Sequence, residues 1–166
     1  MNRESNTYTI VYAAIMVALV AVALAFTSQV LKAPQEENIK IDKMEQILRS
    51  VHQAAPSKKE VSQLYKTIIK QELLINAKGE VLRTFEGEEI ANNAAFNLNT
   101  ANQFKLLASN PDAELPLYIA EVDGAKKFII PLNGAGLWNV IWGYMAIDMD
   151  GTTVFGSDFG HAGETP

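Results

Sequence analysis

An uncharged apolar stretch near the N-terminus constrains this chain more than any other feature. No residue from Thr9 to Phe26 is charged, and the apolar run extends to Leu31. A helix of about 20 apolar residues crosses the roughly 30 Å of hydrocarbon in a bilayer. Because lipid offers the backbone no hydrogen-bond partners, a single spanning segment must be helical. The sequence therefore predicts one N-terminal transmembrane helix.

A cleaved signal peptide is the main alternative for this stretch, with Arg3 as its charged start and Ala23-Leu24-Ala25 as its cleavage site. The apolar part of a signal peptide is about 7–15 residues long, which is shorter than this run. The length also disfavours a buried helix of a soluble core. Arg3 and the terminal amine precede the span, and Lys32 follows it. By the positive-inside rule we expect a cytoplasmic N-terminus and a periplasmic or exterior remainder.

Charge and cysteine content exclude several classes of function. A net charge of −5 disfavours nucleic acid, which requires clustered Lys and Arg. The chain has no cysteine, which excludes disulfides, thiolate-bound iron–sulfur clusters and c-type haem attachment. His52 and His161 lie far apart without neighbouring ligands, so no metal site is expected. If the chain carries electrons, its cofactor must be organic.

The residues after the span predict a boundary and then two helices. A polar segment over residues 32–38 contains Pro34, which disfavours helix continuation. We expect residues 1–33 to be the anchor and residues 34–166 to be a soluble, extracytoplasmic domain. Ser57 and Glu60 form a capping-box pattern at the start of the second helix. Apolar residues at helical spacing predict one amphipathic helix (Ile41, Met44, Ile47, Leu48, Val51) and another (Val61, Leu64, Tyr65, Ile68, Ile69).

The remainder of the chain reads mainly as paired strands. Residues 73–75 and 81–85 predict one hairpin, and residues 115–122 and 126–131 another, around Asp123-Gly124. A short helix is expected over residues 101–107, and a long strand over 138–148 turns at Asp150-Gly151. Two helices followed by strand hairpins indicate an α+β fold with helices on a mainly antiparallel sheet. A Rossmann unit is excluded, because Gly134-x-Gly136 has no third glycine.

Two glycine-containing segments are the candidates for binding. They are Gly134-Ala135-Gly136-Leu137-Trp138 and Gly160-His161-Ala162-Gly163-Glu164-Thr165-Pro166. Glycines allow close approach of the backbone to a planar ring, and polar loop residues can aim at a ligand. Taken alone, both segments are also ordinary turns. The sequence shows no nucleophile elbow and no phosphate-binding loop, and no residue is assigned a catalytic role.

The order of four features resembles the C subunit of the Na⁺-translocating NADH:quinone oxidoreductase. These are the N-terminal span, the Gly-x-Gly-Leu-Trp loop, the aromatic strand with its Asp-Gly turn, and the Gly-Glu-Thr-Pro segment. The resemblance implies a membrane protein with an FMN-binding domain. It also implies that Gly136, Leu137, Trp138, Glu164 and Thr165 bind the cofactor. The family segment runs on as Gly-Glu-Thr-Pro-Gly-Leu-Gly, so this chain is expected to be incomplete at its C-terminus.

The resemblance further implies a covalent cofactor and a role in a complex. The family's FMN is joined through its phosphate to a threonine by a flavin transferase, and that threonine is expected beyond Pro166. Such a protein passes single electrons from a membrane iron–sulfur centre to another flavin subunit while the complex exports Na⁺. Other subunits, membrane lipid and the transferase are the implied partners. The related flavoprotein of the Rnf complex and a non-redox anchored interaction domain are the alternatives.

Overall fold

The computed structural model describes residues 6–107, 109–110, 112–137 and 139–163, and it divides into two compact units between Lys40 and Ile41. The helices are α1 (Asn6–Ser50), α2 (Lys58–Ile68), α3 (Ala94–Asn97) and α4 (Thr100–Leu107), with a short 3-10 helix at Gly87–Glu89. The strands are β1 (Ile69–Ile75), β2 (Val81–Glu86), β3 (Leu115–Val122), β4 (Ala125–Ala135), β5 (Val140–Asp148) and β6 (Val154–His161).

The first unit is helical throughout its described residues. Its apolar run reaches a mean hydropathy of 2.6 over 18 residues, and none of that window is buried. The helix is therefore long and apolar enough to cross a bilayer. The prediction that the helix breaks near Pro34 is wrong, since α1 continues through this residue. Pro34 lacks one N–H donor, and a helix of 45 residues retains the hydrogen bonds of the turns on either side.

The second unit is built on a six-stranded antiparallel sheet with the order β2-β1-β3-β4-β5-β6. This confirms the α+β prediction and the two predicted hairpins. The β3–β4 turn has Asp123 at φ 52° and Gly124 at φ 76°, the left-handed pair that matches the twist of hairpin strands. The long apolar strand β5 lies between β4 and β6.

One face of the sheet is covered by helices. The end of α1 buries Met44, Ile47, Leu48 and, just after it, Val51, so the predicted amphipathic helix is confirmed. These side chains join others from the sheet, α2 and α3 in one core, which includes Val61, Tyr65, Ile69, Phe96, Tyr118, Ala120, Ile129, Tyr144 and Ala146.

The second predicted helix ends one residue early. α2 stops at Ile68, and Ile69 begins β1 instead of continuing the helix. Ile69 is fully buried, so the apolar pattern correctly predicted that this residue is buried. It did not predict the extended conformation of its backbone. At the other end of α2, the hydroxyl of Ser57 donates to Oε1 of Glu60 at 2.8 Å. The capping-box residues thus meet through their side chains.

The opposite face of the sheet is apolar and carries α4. Its groove has a volume of about 380 Å³, and its lining residues on β3 and β4 alternate with those of the helix-covered core. They include Leu115, Leu117, Phe128, Ile130 and Leu132, together with Phe104 of α4.

Candidate functional site

The structure brings the two glycine-containing segments together as far as both are described. His161 pairs with Ile141 across β5 and β6, and the N–H of Ala162 donates to the carbonyl of Val140 at 3.0 Å. The described start of the second segment therefore pairs with Val140 and Ile141, which pair on their other side with Ala135 and Gly134 of the first. Three of the predicted cofactor-binding residues, Trp138, Glu164 and Thr165, lie outside the described residues.

Gly136 closes the loop between β4 and β5. Its N–H donates to the carbonyl of Asn139 at 2.8 Å. A Cβ at Gly136 would lie 2.7 Å from that carbonyl oxygen and from the side chain of Ile141. The close approach of the backbone therefore requires glycine here. The side chain of the next residue, Leu137, is 90% exposed.

A groove of about 280 Å³ lies beside this loop. Strands β4, β5 and β6 and helix α4 contribute its lining residues, which are Phe104, Leu132, Asn133, Gly134, Ala135, Ile141, Trp142 and Phe159. None of these residues is charged. We take this groove and the adjoining loop as the candidate functional site.

Two aromatic rings of β5 and β6 lie against glycines of the neighbouring strand, Phe159 on the groove side and Trp142 on the core side. Trp142 pairs with Gly160, where a Cβ would lie 3.0 Å from the indole ring. Phe159 pairs with Gly143, where a Cβ would lie 2.5 Å from its ring. Because Gly160 and Gly143 have no side chain, the two rings can lie directly against the neighbouring strand.

The end of α1 holds the strands of the site from the core side. The indole N–H of Trp142 donates to Oε1 of Gln46 at 3.0 Å. Arg49 makes a two-pronged ion pair with Asp158, with both N···O distances 3.1 Å. The hydrogen bonds of this pair raise the pKa of the Arg49 guanidinium. His52, two residues after the helix, contacts the carbonyl of Phe155 at 3.0 Å.

These contacts fix the direction of α1 along β6. Gln46 reaches the strand pair at Trp142 and Gly160, whereas His52 reaches the opposite end of β6. Gln46 therefore lies nearer than His52 to the sheet end that carries the β4–β5 loop.

The groove has the chemistry of a site for an uncharged planar ring. Aromatic and aliphatic side chains line it, and the backbone at Gly134 and Ala135 adds peptide groups. An isoalloxazine ring fits this combination of apolar side chains and peptide groups. The lining includes no Lys or Arg that could hold a phosphate. Among the described residues no group of three or more His, Asp or Glu could hold a metal ion.

Sequence reasoning missed a buried polar cluster around Glu72, beneath the helix-covered face. Glu72 is fully buried, and the hydroxyl of Tyr65 donates to its Oε1 at 2.7 Å. The N–H of Ala91 lies 3.2 Å from both carboxylate oxygens, and the amide of Asn93 donates to Oε2. Burial raises the pKa of Glu72, and these hydrogen bonds oppose that rise. Period-two alternation was the available signal, since it puts Glu72 on the same face as the buried Leu74.

Lys43 of α1 borders this cluster. Its ammonium donates to the carbonyl of Phe96 and lies 4.8 Å from the centre of that ring. Burial lowers the pKa of Lys43 to about 8, and the charge of Glu72 opposes this shift. The cluster therefore links α1, α2, β1 and the segment before α3.

Comparison with known proteins shows the family to which the chain belongs. No family model matches it. The C subunit of the Na(+)-translocating NADH-quinone reductase from Pseudomonas aeruginosa is 30% identical over 99% of this chain and 67% of its own length. The chain belongs to this C-subunit family. The corresponding protein from Yersinia pestis is also 30% identical, over 99% of this chain. The chain spans about 65% of the length of that relative.

Solved structures of the same family agree with the fold. The crystal structure of the C subunit from Parabacteroides distasonis is 37% identical, with a TM-score of 0.66 over 82% of this chain and 60% of that one. The structure of NqrC from Shewanella oneidensis is 26% identical, with a TM-score of 0.54 over 78% of this chain and 63% of that one. The resemblance and the fold predicted from the sequence are confirmed. The roles of individual residues in cofactor binding remain predictions.

Proposed function

We propose that this chain is the FMN-carrying subunit of a Na⁺-pumping NADH:quinone oxidoreductase. In this role it passes single electrons between a membrane iron–sulfur centre and another flavin subunit while the complex exports Na⁺. Membership of the C-subunit family is the observation that carries the proposal. The uncharged groove beside the two glycine-containing segments supports it, because its aromatic and aliphatic lining suits a planar redox ring.

The proposed cofactor-binding residues belong to both segments. Gly136, Leu137 and Trp138 come from the β4–β5 loop, and Glu164 and Thr165 follow β6. The hydrogen bond from Ala162 to Val140 supports this grouping, since it brings the second segment alongside the first. Phe159 is added to the set, because it lines the groove on the face of the sheet away from α1.

The bound FMN supplies one-electron redox chemistry, and the chain supplies its surroundings. Phe104 and Phe159 give the groove its aromatic lining. Gln46 accepts a hydrogen bond from the indole of Trp142 on the core side, and this bond ties β5, which carries part of the groove, to α1. We propose that the cofactor is attached covalently by a flavin transferase, through its phosphate and a threonine.

The long apolar helix supports a membrane anchor for this protein. We propose that residues 1–33 are this anchor, with a cytoplasmic N-terminus, and that residues 34–166 face the periplasm. Membrane lipid and the other subunits of the complex are then the partners. Arg3 and the terminal amine before the span support this orientation.

Flavin fluorescence in a denaturing gel tests the proposal directly. Membranes of the source cell are run on the gel, the flavin is imaged, and the fluorescent band is identified by mass spectrometry. A fluorescent band whose peptides match this sequence is expected. A dark band that contains the chain would contradict covalent flavin and favour an interaction domain without redox function.

A pair of variants tests the groove. Phe159→Ala removes a ring from the groove, whereas Phe85→Ala removes one from β2, outside the groove. We expect flavin fluorescence per chain to fall for the first variant and to be kept for the second. Equal fluorescence of the two variants would argue against this groove as the flavin site.

A further inference from the structure

Strand β6 lies at one edge of the sheet. In the described part of the chain it pairs with β5 alone, and the register of that pair shifts between Ala146 and Ile147. The strand contains Gly156 and Gly160, which offer no side chain for packing and so weaken a strand. Backbone pairing therefore restrains the position of β6 less than it restrains the inner strands, which are paired on both sides.

The position of β6 matters to the groove because β6 carries Phe159. Phe159 lines the groove, and its side chain is 56% exposed, so burial alone does not hold the ring in place. The ring lies against Gly143, where an added Cβ would lie 2.5 Å from the ring. Gly143 leaves room for the ring but has no side chain that could hold it. The position of the ring therefore depends on how β6 itself is held.

Asp158, the residue before Phe159, ties β6 to the end of α1. It pairs with the buried Tyr144 and so faces the core, whereas Phe159 faces the groove. Nε and Nη2 of Arg49 each donate to one carboxylate oxygen of Asp158, both at 3.1 Å. A guanidinium that holds both oxygens fixes the orientation of a carboxylate as well as its distance. Because the two side chains lie on opposite faces of one strand, a rotation of β6 at Asp158 also moves the ring of Phe159.

We propose that Arg49 is a positioning residue of the groove, which holds Phe159 against the flavin ring through its ion pair with Asp158. This inference rests on the proposed function, because it takes the flavin from that proposal. His52 also ties the end of α1 to β6, but it contacts the carbonyl of Phe155, towards the start of the strand. Of these two contacts, the ion pair is the one that adjoins the ring of Phe159.

The exposure of the ion pair favours orientation over stability as its role. The side chain of Arg49 is 48% exposed, and exposed ion pairs contribute little to the free energy of unfolding. Glu45, one turn earlier on α1, lies 3.7 Å from Nη1 of Arg49 and helps to orient the guanidinium. Removal of the pair is therefore expected to change the groove more than it changes the stability of the fold.

Iodide quenching of the flavin tests the positioning role. The full chain with its FMN is purified in detergent, and the quenching constant of flavin fluorescence by iodide measures how much of the ring is open to solvent. A site that buries about 80% of its ligand leaves about 20% exposed, so displacement of one wall by Arg49→Gln should raise this constant about twofold. Loss of a cation disfavours the approach of iodide, so the change of charge alone would lower the constant.

The ion pair of Arg83 with Glu114 provides a matched control. Nη2 of Arg83 lies 3.2 and 3.0 Å from the two carboxylate oxygens, and the side chain of Arg83 is 50% exposed. The pair joins β2 to the segment before β3, and neither residue lines the groove. Arg83→Gln removes the same charge and a similar ion pair, and we expect it to keep the wild-type quenching constant. An equal rise in both variants would overturn the proposal, because it would indicate a general loosening of the domain.

A double variant tests whether Arg49 acts through Asp158. We expect Asp158→Asn to raise the quenching constant as Arg49→Gln does, and the combination of the two to add nothing further, because either change alone breaks the same contact. Effects of the two changes that add in full would contradict the proposal. Far-ultraviolet circular dichroism checks that each variant keeps its fold, and Asp158→Asn carries the test if Arg49→Gln does not fold.

The wild-type chain separates this inference from the function on which it rests. A wild-type chain without flavin fluorescence would contradict the proposed function, and the positioning role would fail with it. If the wild-type chain carries flavin and Arg49→Gln leaves the quenching constant unchanged, only the positioning role is wrong.

Discussion

The hydroxyl of Tyr65 donates a hydrogen bond of 2.7 Å to Oε1 of Glu72, and both side chains are fully buried. The bond joins α2 to β1, seven residues further along the chain. A buried carboxylate is tolerated only where donors surround it, and Glu72 has further donors in Ala91 and Asn93. Tyr65 is therefore one of the groups that allow Glu72 to occupy the core.

Removing this hydroxyl is expected to destabilise the second unit. Tyr65→Phe keeps the ring and leaves one carboxylate oxygen with fewer donors. We expect the free energy of unfolding to fall by about 1–3 kcal/mol, the usual cost of an unpaired buried group. Urea unfolding of the chain in detergent, followed by tryptophan fluorescence, measures this change.

The same substitution at Tyr118 is not expected to lower the free energy of unfolding. The hydroxyl of Tyr118 is buried and has no hydrogen-bond partner among the described residues. Tyr118→Phe removes a polar group that burial has desolvated without compensation. We expect the free energy of unfolding to stay equal or to rise. A loss as large as that of Tyr65→Phe would show that this hydroxyl has a partner.

Stability is expected to rise with pH in the alkaline range because of Lys43. Burial lowers the pKa of Lys43 to about 8, from 10.5. Between about pH 8 and pH 10 the unfolded chain keeps a proton that the folded chain has released, so the free energy of unfolding increases with pH. The expected gain is on the order of 1–2 kcal/mol. Urea unfolding at a series of pH values measures it.

The buried tyrosines set the upper limit of the pH range in which stability rises. Burial raises the pKa of Tyr65, Tyr118 and Tyr144, so the folded chain holds these protons longer than the unfolded chain does. Their contribution to stability falls as pH rises beyond about 10. Lys43→Met should abolish the rise below that point, whereas Lys126→Met, at an exposed position near the start of β4, should keep it. A wild-type curve that is flat from pH 8 to pH 10 would contradict the lowered pKa.

Local sequence signals predicted the sheet well where the residues of a turn determine its conformation. Asp123-Gly124 adopts the left-handed pair that hairpins require, so both strand identity and register follow from two residues. Ile69 shows the limit of such signals. An apolar residue at this position is buried in a helix and in a strand alike, and periodicity alone does not separate the two.

Features that depend on the assembled fold were beyond the sequence. Pro34 discourages a helix locally, yet α1 continues through it. Glu72 reads as a polar residue at the edge of a strand, and only the packing of α2 and the segment before α3 shows its donors. The resemblance correctly identified the family, but the wall of the groove at Phe159 depends on pairing between β5 and β6. The predicted binding loop contributes Gly134 and Ala135 to the lining, whereas Phe104 and Phe159 lie outside both predicted segments.

Gly143 offers a sharp test of the groove. A Cβ there would lie 2.5 Å from the carbonyl oxygen of Asp158 and from the ring of Phe159. Gly143→Ala must therefore displace β6 or the ring, and we expect it to lower the free energy of unfolding by about 1–3 kcal/mol, the cost of overpacking. Urea unfolding measures the loss, and flavin fluorescence per chain should fall with it.

Gly134→Ala is the matched control for stability. Gly134 lies on β4, in the same groove, but a Cβ added to it meets no atom within 4 Å. We expect its free energy of unfolding to change by less than about 0.5 kcal/mol, as for a substitution into open space. If both alanines are tolerated equally, Phe159 does not rest on Gly143 as the structure shows. If only Gly143→Ala is destabilising, the missing side chain at Gly143 is what allows the ring to form a wall of the groove.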